Sequence, residues 1–189
     1  MKLGEIVYQG KTKKETEITI RYPLMGDLKP LRSYINTLSK ERTFIGFQGE
    51  QLSLEGEEKY LKSFLRKIKQ HQAVKLVVFT DNKLIGVADI KLGDKAIETH
   101  VGTFGITIHK NYRGEGIGKL LMKLVLDNAK ESIKGMRIVI LGVFGDNPIA
   151  HRMYKKFGFT DYGNLPKGVL HRGRYVGHYY MYKKFVSHG

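Results

Sequence analysis

The stretch that most restricts this chain runs from residue 104 to residue 159. It begins as an alternating run, Phe104-Gly105-Ile106-Thr107-Ile108, and passes through Tyr112-Arg113-Gly114-Glu115-Gly116-Ile117-Gly118-Lys119. An amphipathic repeat follows. Ile117, Leu120, Leu121, Leu124, Val125 and Ala129 recur at helical spacing, while Lys119, Lys123, Asp127 and Lys130 share the other face. A strand therefore feeds a glycine-rich turn, and the turn opens a helix. That order builds an anion site, because the turn's N–H groups converge and the helix N-terminus adds partial positive charge. Glycine is needed where a Cβ would block the ligand or forbid the backbone angles.

The flanking sequence reads as one α/β unit, without repeat, low-complexity tract or linker. Residues 4–9 and 15–22 read as strands around a Lys-rich turn at 10–14. Gly10-Lys11-Thr12 resembles the end of a P-loop, but the upstream glycine is one position too far away and no apolar strand feeds it. Asp27 is expected to cap a helix to about Ser39, and Ser53 a second helix to about Gln72. Phe44, Ile45 and Phe47 fall in the loop between them, where aromatics either plug a core edge or line a pocket. Residues 74–80 and 84–92 form a hairpin about a tight turn, and a long strand is expected over 98–109. Gly105 inside it implies a bulge or the close approach of another backbone. Residues 138–143 are apolar throughout, as in a strand covered on both faces. Asn147-Pro148 starts a short helix, Gly158 stops it, and a loop over 163–173 leads to a last strand over 174–185.

Composition narrows the chemistry. The chain has 189 residues, enough for one full core, and no cysteine, so thiolate nucleophiles and thiolate metal sites are excluded. Lys and Arg outnumber Asp and Glu by 33 to 18, a net charge of +15 that favours polyanionic ligands or acidic partners. No stretch approaches a membrane span, and the first residues lack a signal-peptide apolar region, so a cytoplasmic protein is expected.

Two motifs together carry a resemblance. Arg113-x-x-Gly116-x-Gly118 after a strand, followed beyond a helix and a strand by Asn147-x-x-Ala150-x-x-x-Tyr154-x-x-Phe157-Gly158-Phe159, is similar to the GNAT acetyltransferase superfamily. The tail from Gly163 through Gly173-Arg174-Tyr175-Val176 to Met181 resembles its ribosomal-protein and small-amine acetyltransferase branch. The resemblance covers roughly residues 74–182. It implies an α/β (α+β) GNAT fold: a mixed, mostly antiparallel twisted sheet, splayed at its centre, with helices on both faces. Residues 1–189 would form a single domain, with 1–14 an N-terminal extension.

The same resemblance implies acetyl-CoA as co-substrate and no metal. The pyrophosphate would rest on the backbone of Gly114, Glu115, Gly116, Ile117, Gly118 and Lys119, with Arg113 opening the loop. The pantetheine arm would pair with Ile106, Thr107 and Ile108, and Asn147 would hydrogen-bond it. Tyr154 would stand near the sulfur and protonate it. Family members carry a carboxylate base where this chain has Thr103 or Gly142, so the base is expected elsewhere, at His100 or Glu98 acting through water. An α-amine, with pKa near 8, is about one-tenth free base at pH 7, whereas a lysine is below about 0.1 %. A site lacking a strong base therefore fits a protein N-terminus slightly better than a small amine, and both better than lysine. The basic balance adds an association with a ribosome or an acidic protein as an expectation. Direct nucleic-acid binding and membrane binding are not expected, and the oligomeric state stays open. A CoA-binding or nucleic-acid-binding module without catalysis is the rival reading.

Overall fold

A computed structural model describes residues 2–185. Eight strands form one sheet. The chain enters it through β1 (Ile6–Lys11) and β2 (Glu17–Arg21), then leaves for α1 (Leu28–Lys40) and α2 (Leu54–Lys69). It returns as β3 (Ala73–Thr80), β4 (Lys83–Leu92) and β5 (Val101–Ile108). Helix α3 (Ile117–Ser132) leads to β6 (Ile138–Phe144), and α4 (Pro148–Lys156) leads to the long hairpin of β7 (Thr160–His171) and β8 (Arg174–Lys184). The spatial order is β1-β2-β3-β4-β5-β6-β8-β7. Among the described strands only β5 and β6 run parallel, so the sheet is mixed and mostly antiparallel, as the resemblance implied.

Local chemistry accounts for most boundaries. Ser53 caps α2, its hydroxyl accepting from the Gly56 N–H at 3.0 Å. Asp27 precedes α1 but makes no side-chain cap. Its carboxylate instead takes both Arg21 guanidinium nitrogens at 2.8 and 2.7 Å and the Leu24 N–H at 2.7 Å. The β3–β4 turn is the two-residue Asp81-Asn82, both at positive φ, as the right-handed twist of a tight hairpin demands. Lys75 is buried on β3 directly opposite Asp89 of β4, with its ammonium 2.9 Å from the carboxylate and 4.2 Å from the Phe64 ring centre. Burial works against that charge, but Asp89 and Tyr60 outweigh it and raise the Lys75 pKa.

Helices cover both faces. Tyr34 of α1 donates its hydroxyl to Thr107 Oγ1 at 3.1 Å, while Gly118 of α3 lies against Ile108. Neighbouring residues of a strand point to opposite faces, so α1 and α3 are on opposite sides of β5. Leu61, Phe64 and Ile68 fill one layer and Leu121, Met122 and Val125 the other.

Three expectations need correction. The strand expected over 98–109 begins only at Val101, and Ala96–Glu98 is instead a 3-10 turn. The loop expected over 163–173 is mostly strand, because β7 pairs with β8 along its length through two irregularities, leaving Arg172-Gly173 as the turn. Its glycines and Pro166 accommodate the irregularities of an edge strand rather than a loop. Gly105 pairs in register with Asp89, so of its two readings the bulge is excluded.

The sheet's central feature is an interruption. β5 and β6 pair only through Val101–Thr103 and Ile138–Ile140. Beyond Thr103 the strands part, and each turns an unpaired backbone edge toward the other.

Candidate active site

The gap between β5 and β6 opens into a cavity of about 490 Å³, within the range of small-molecule sites. At one end lies the glycine loop. Gly114 and Gly116 have φ of +82° and +89°, a left-handed backbone that favours glycine. A Cβ on Gly114 would have no atom within 4 Å, and one on Gly116 would first meet the Lys13 side chain at 3.9 Å. The concavity is open because those side chains are missing. The N–H groups of Gly114, Glu115, Gly116, Ile117 and Gly118 make no hydrogen bond to the described residues. Five consecutive free donors at the start of α3 suit a phosphate.

Glu115 does not face this ligand space. It is buried, and its carboxylate accepts from the hydroxyls of Thr12 at 2.7 Å and Thr16 at 3.0 Å. The Lys13 N–H reaches the Glu115 carbonyl at 3.4 Å. The β1–β2 turn therefore buttresses the loop and brings Lys13 to the cavity wall. Arg113 donates from Nε to the Ile108 carbonyl at 2.9 Å and from Nη2 to Thr43 Oγ1 at 3.3 Å. It ties the end of β5 to the α1–α2 loop. Lys13, Arg113 and Lys119 give this end its positive charge.

Ile106, Thr107 and Ile108 form the cavity's β5 wall, on the edge that β6 abandons. Asn147 caps α4, its Oδ1 accepting from the Ala150 N–H at 3.2 Å, and its Nδ2 has no partner among the described residues. Tyr154 is 7 % exposed and lines the cavity. Phe104 and Phe159 hold its ring at centroid distances of 6.0 and 6.2 Å. Its hydroxyl has no partner among the described residues, and burial pushes its pKa up to about 12. It is a neutral phenol with a proton to give.

The opposite end is apolar. Phe44 and Ile45 of the α1–α2 loop and Phe144 of β6 line it, whereas Phe47 lies outside. Behind them His171, 1 % exposed, joins three segments. Its Nδ1 is 2.7 Å from Asp146 Oδ2, and its Nε2 donates to the Arg42 carbonyl at 3.0 Å. Arg172 Nε also donates to that carbonyl, at 3.1 Å. The Phe44 ring centre is 4.8 Å from that of His171.

Glu98 and His100 are not brought to this cavity. Glu98 sits in the 3-10 turn beside Lys95. The His100 carbonyl accepts the Arg137 and Ile138 N–H groups at the paired end of β5. Six residues of strand separate His100 from Ile106, about 20 Å. Sequence reasoning missed Lys13, Thr43, Phe144 and His171, which reach the site only through tertiary packing. The Lys-rich turn carried the one available signal, for Lys13.

Residues 36–159 match the model of the Acetyltransferase (GNAT) family. The chain belongs to this family. It is 33 % identical over 106 residues to an L-amino acid N-acetyltransferase of Escherichia coli, covering 56 % of this chain and 65 % of that one. It is 38 % identical over 58 residues to a spermine/spermidine N(1)-acetyltransferase of Bacillus subtilis, covering 31 % and 38 %. Both matches thus span less than two thirds of the relative's own length. A GNAT-family acetyltransferase of known structure from Streptococcus pneumoniae superposes with a TM-score of 0.81 at 26 % identity, over 90 % of this chain and all of that one. The GNAT fold is therefore shared across nearly the whole described chain.

Proposed function

We propose that this protein is an N-acetyltransferase that moves the acetyl group of acetyl-CoA to the α-amine of a free apolar amino acid. The free N–H groups of residues 114–118 fit the pyrophosphate, and Lys13, Arg113 and Lys119 favour the donor's remaining phosphate charge. The β5 edge at Ile106, which β6 leaves unpaired, fits the amides of an extended arm, which the Asn147 Nδ2 can also meet. Transfer makes three demands: the amine must lose a proton, the carbonyl oxygen takes on negative charge, and the departing sulfur needs a proton. The Tyr154 hydroxyl answers the third. A β5 backbone N–H near Ile106 answers the second.

One observation carries the acceptor class. The charged residues lining the cavity are all cations, and no Asp or Glu lines it among the described residues. A polyamine would meet like charge without a compensating carboxylate. An amino acid presents an apolar side chain to Phe44, Ile45 and Phe144 and its own carboxylate to a cavity whose charged lining residues, Lys13, Arg113 and Lys119, are all cations. The name of the Escherichia coli relative agrees with this choice. A protein N-terminus is the second reading, supported by the net charge of +15, which suits an acidic or ribosomal partner. The unpartnered Tyr154 hydroxyl weighs against a CoA-binding module without catalysis.

The test is thiol release from acetyl-CoA with L-methionine, L-phenylalanine, an alanine-starting peptide and spermidine. The free amino acids are expected to turn over fastest. Faster turnover of spermidine, or no release with any amine, would overturn the reading.

A further inference from the structure

The cavity wall on β6 has a residue without a side chain at its most exposed point, Gly142. Leu141 and Val143 point to the other face and are buried. Gly142 shares its face with Phe144 and with their partners on β8, Tyr180 and His178. The space a side chain would fill is already taken: a Cβ on residue 142 would collide with Nε2 of His178. The imidazole is braced by the rings of Phe144 and Tyr180, at centroid distances of 6.0 and 4.5 Å.

This histidine differs from the others near the site. His171 spends both nitrogens on Asp146 and Arg42, and His109 Nδ1 accepts from the Asn111 N–H. His151 Nε2 meets Asp161. The His178 imidazole makes no hydrogen bond within the described residues, although its backbone pairs in the sheet. Burial lowers its pKa and no neighbouring charge contributes, so the ring is neutral near pH 7 with a lone pair to offer. The facing groups that titrate are Tyr180 on its own strand and, across Phe144, His171 with Asp146.

We propose that His178 is the general base that takes the proton from the acceptor amine, and that residue 142 is glycine in order to admit it. The inference rests on the acetyltransferase reading above. The acceptor enters as R–NH3+. One N–H bond breaks and an Nε2–H bond forms on His178. The freed lone pair makes the N–C bond to the acetyl carbon, the C–S bond breaks, and the sulfur takes the Tyr154 proton. The new amide nitrogen then loses its second proton to the Tyr154 phenolate, and the imidazolium releases its own to solvent. One proton is released per turnover.

The experiment compares wild type, His178→Gln and Gly142→Ala, using the fastest amine of the panel above. Both variants are expected to lose about 10²-fold in kcat/KM at pH 7 with acetyl-CoA affinity unchanged. The deficit should shrink as pH rises through the amine's own pKa, where base catalysis is no longer needed. In wild type, the His178 ring followed by NMR should titrate at the same pH as the acidic limb of kcat/KM, a comparison that needs no variant to fold. A deficit equal at every pH, no deficit, or a ring titration apart from the acidic limb would overturn the role. If wild type releases no thiol with any amine, the acetyltransferase reading fails first and this inference falls with it.

Discussion

The two ends of the cavity are built in opposite ways. The cofactor end is local: β5, the glycine loop and α3 are consecutive in the chain, and their backbone supplies the donors. The end proposed for the acceptor is assembled from side chains scattered over the α1–α2 loop, β6, and the β7–β8 hairpin: Phe44 and Phe144 line the cavity, and His171 and His178 pack beside them. Backbone donors at a helix start tolerate exchange of surrounding side chains so long as the turn geometry survives. Side chains held by tertiary contacts do not. The difference teaches where variation in this fold is inexpensive: the donor site is fixed by a turn, and the acceptor site by what packs beside it.

Substitutions should separate the two ends. The largest effect belongs to their junction. Tyr154→Phe removes the proposed proton donor and is expected to lower kcat by about 10²-fold, with acetyl-CoA affinity unchanged by calorimetry. Equal turnover would remove Tyr154 from the chemistry. Next is Gly116→Ala, which forces an alanine to a φ of +89° at a cost of about 1–2 kcal/mol. Acetyl-CoA affinity should fall by about tenfold and acceptor KM should hold. A change in acceptor KM alone would break the division. Phe44→Ala should do the reverse. It loses aromatic contacts worth about 0.5–1.5 kcal/mol and should raise acceptor KM by about 2- to 10-fold, with acetyl-CoA affinity constant.

The smallest effect concerns pH and stability. His109 stands at the cofactor end and His178 at the acceptor end, and burial is the leading cause that lowers both pKa values. The unfolded chain, with histidine near 6.5, then binds more protons than the folded one. The stability these two groups contribute is therefore present above about pH 6.5 and is lost as pH falls through the folded values. Thermal melts at pH 7.5 and 5.5 should show a lower midpoint at the acid pH, and His109→Gln should narrow the gap. An unchanged midpoint would contradict the burial of these rings.

The same contrast explains what could be read from sequence. The β3–β4 hairpin, α3 and the short helix after Asn147 follow from periodicity and turn residues, and the splayed sheet was implied by the family resemblance that two motifs carry. Glu98 and His100 looked like bases because a long strand was expected to carry them. The strand starts later, and its cavity end lies the other way. β7 looked like a loop because glycines and Pro166 mask a pairing set by β8. His178 had no sequence signal at all, since its position over Gly142 depends on the register between β6 and β8. The β1–β2 turn was read as a hairpin alone, while its second role, bracing Glu115 through Thr12 and Thr16, exists only in three dimensions.

The most direct measurement is calorimetric titration of the purified protein with acetyl-CoA. If the loop over residues 114–118 and the parted strands hold the donor, the titration gives one site per chain, and Gly116→Ala weakens it by about tenfold. Absence of binding by the wild-type protein, or equal binding by wild type and Gly116→Ala, would contradict the account of the cavity from which the rest follows.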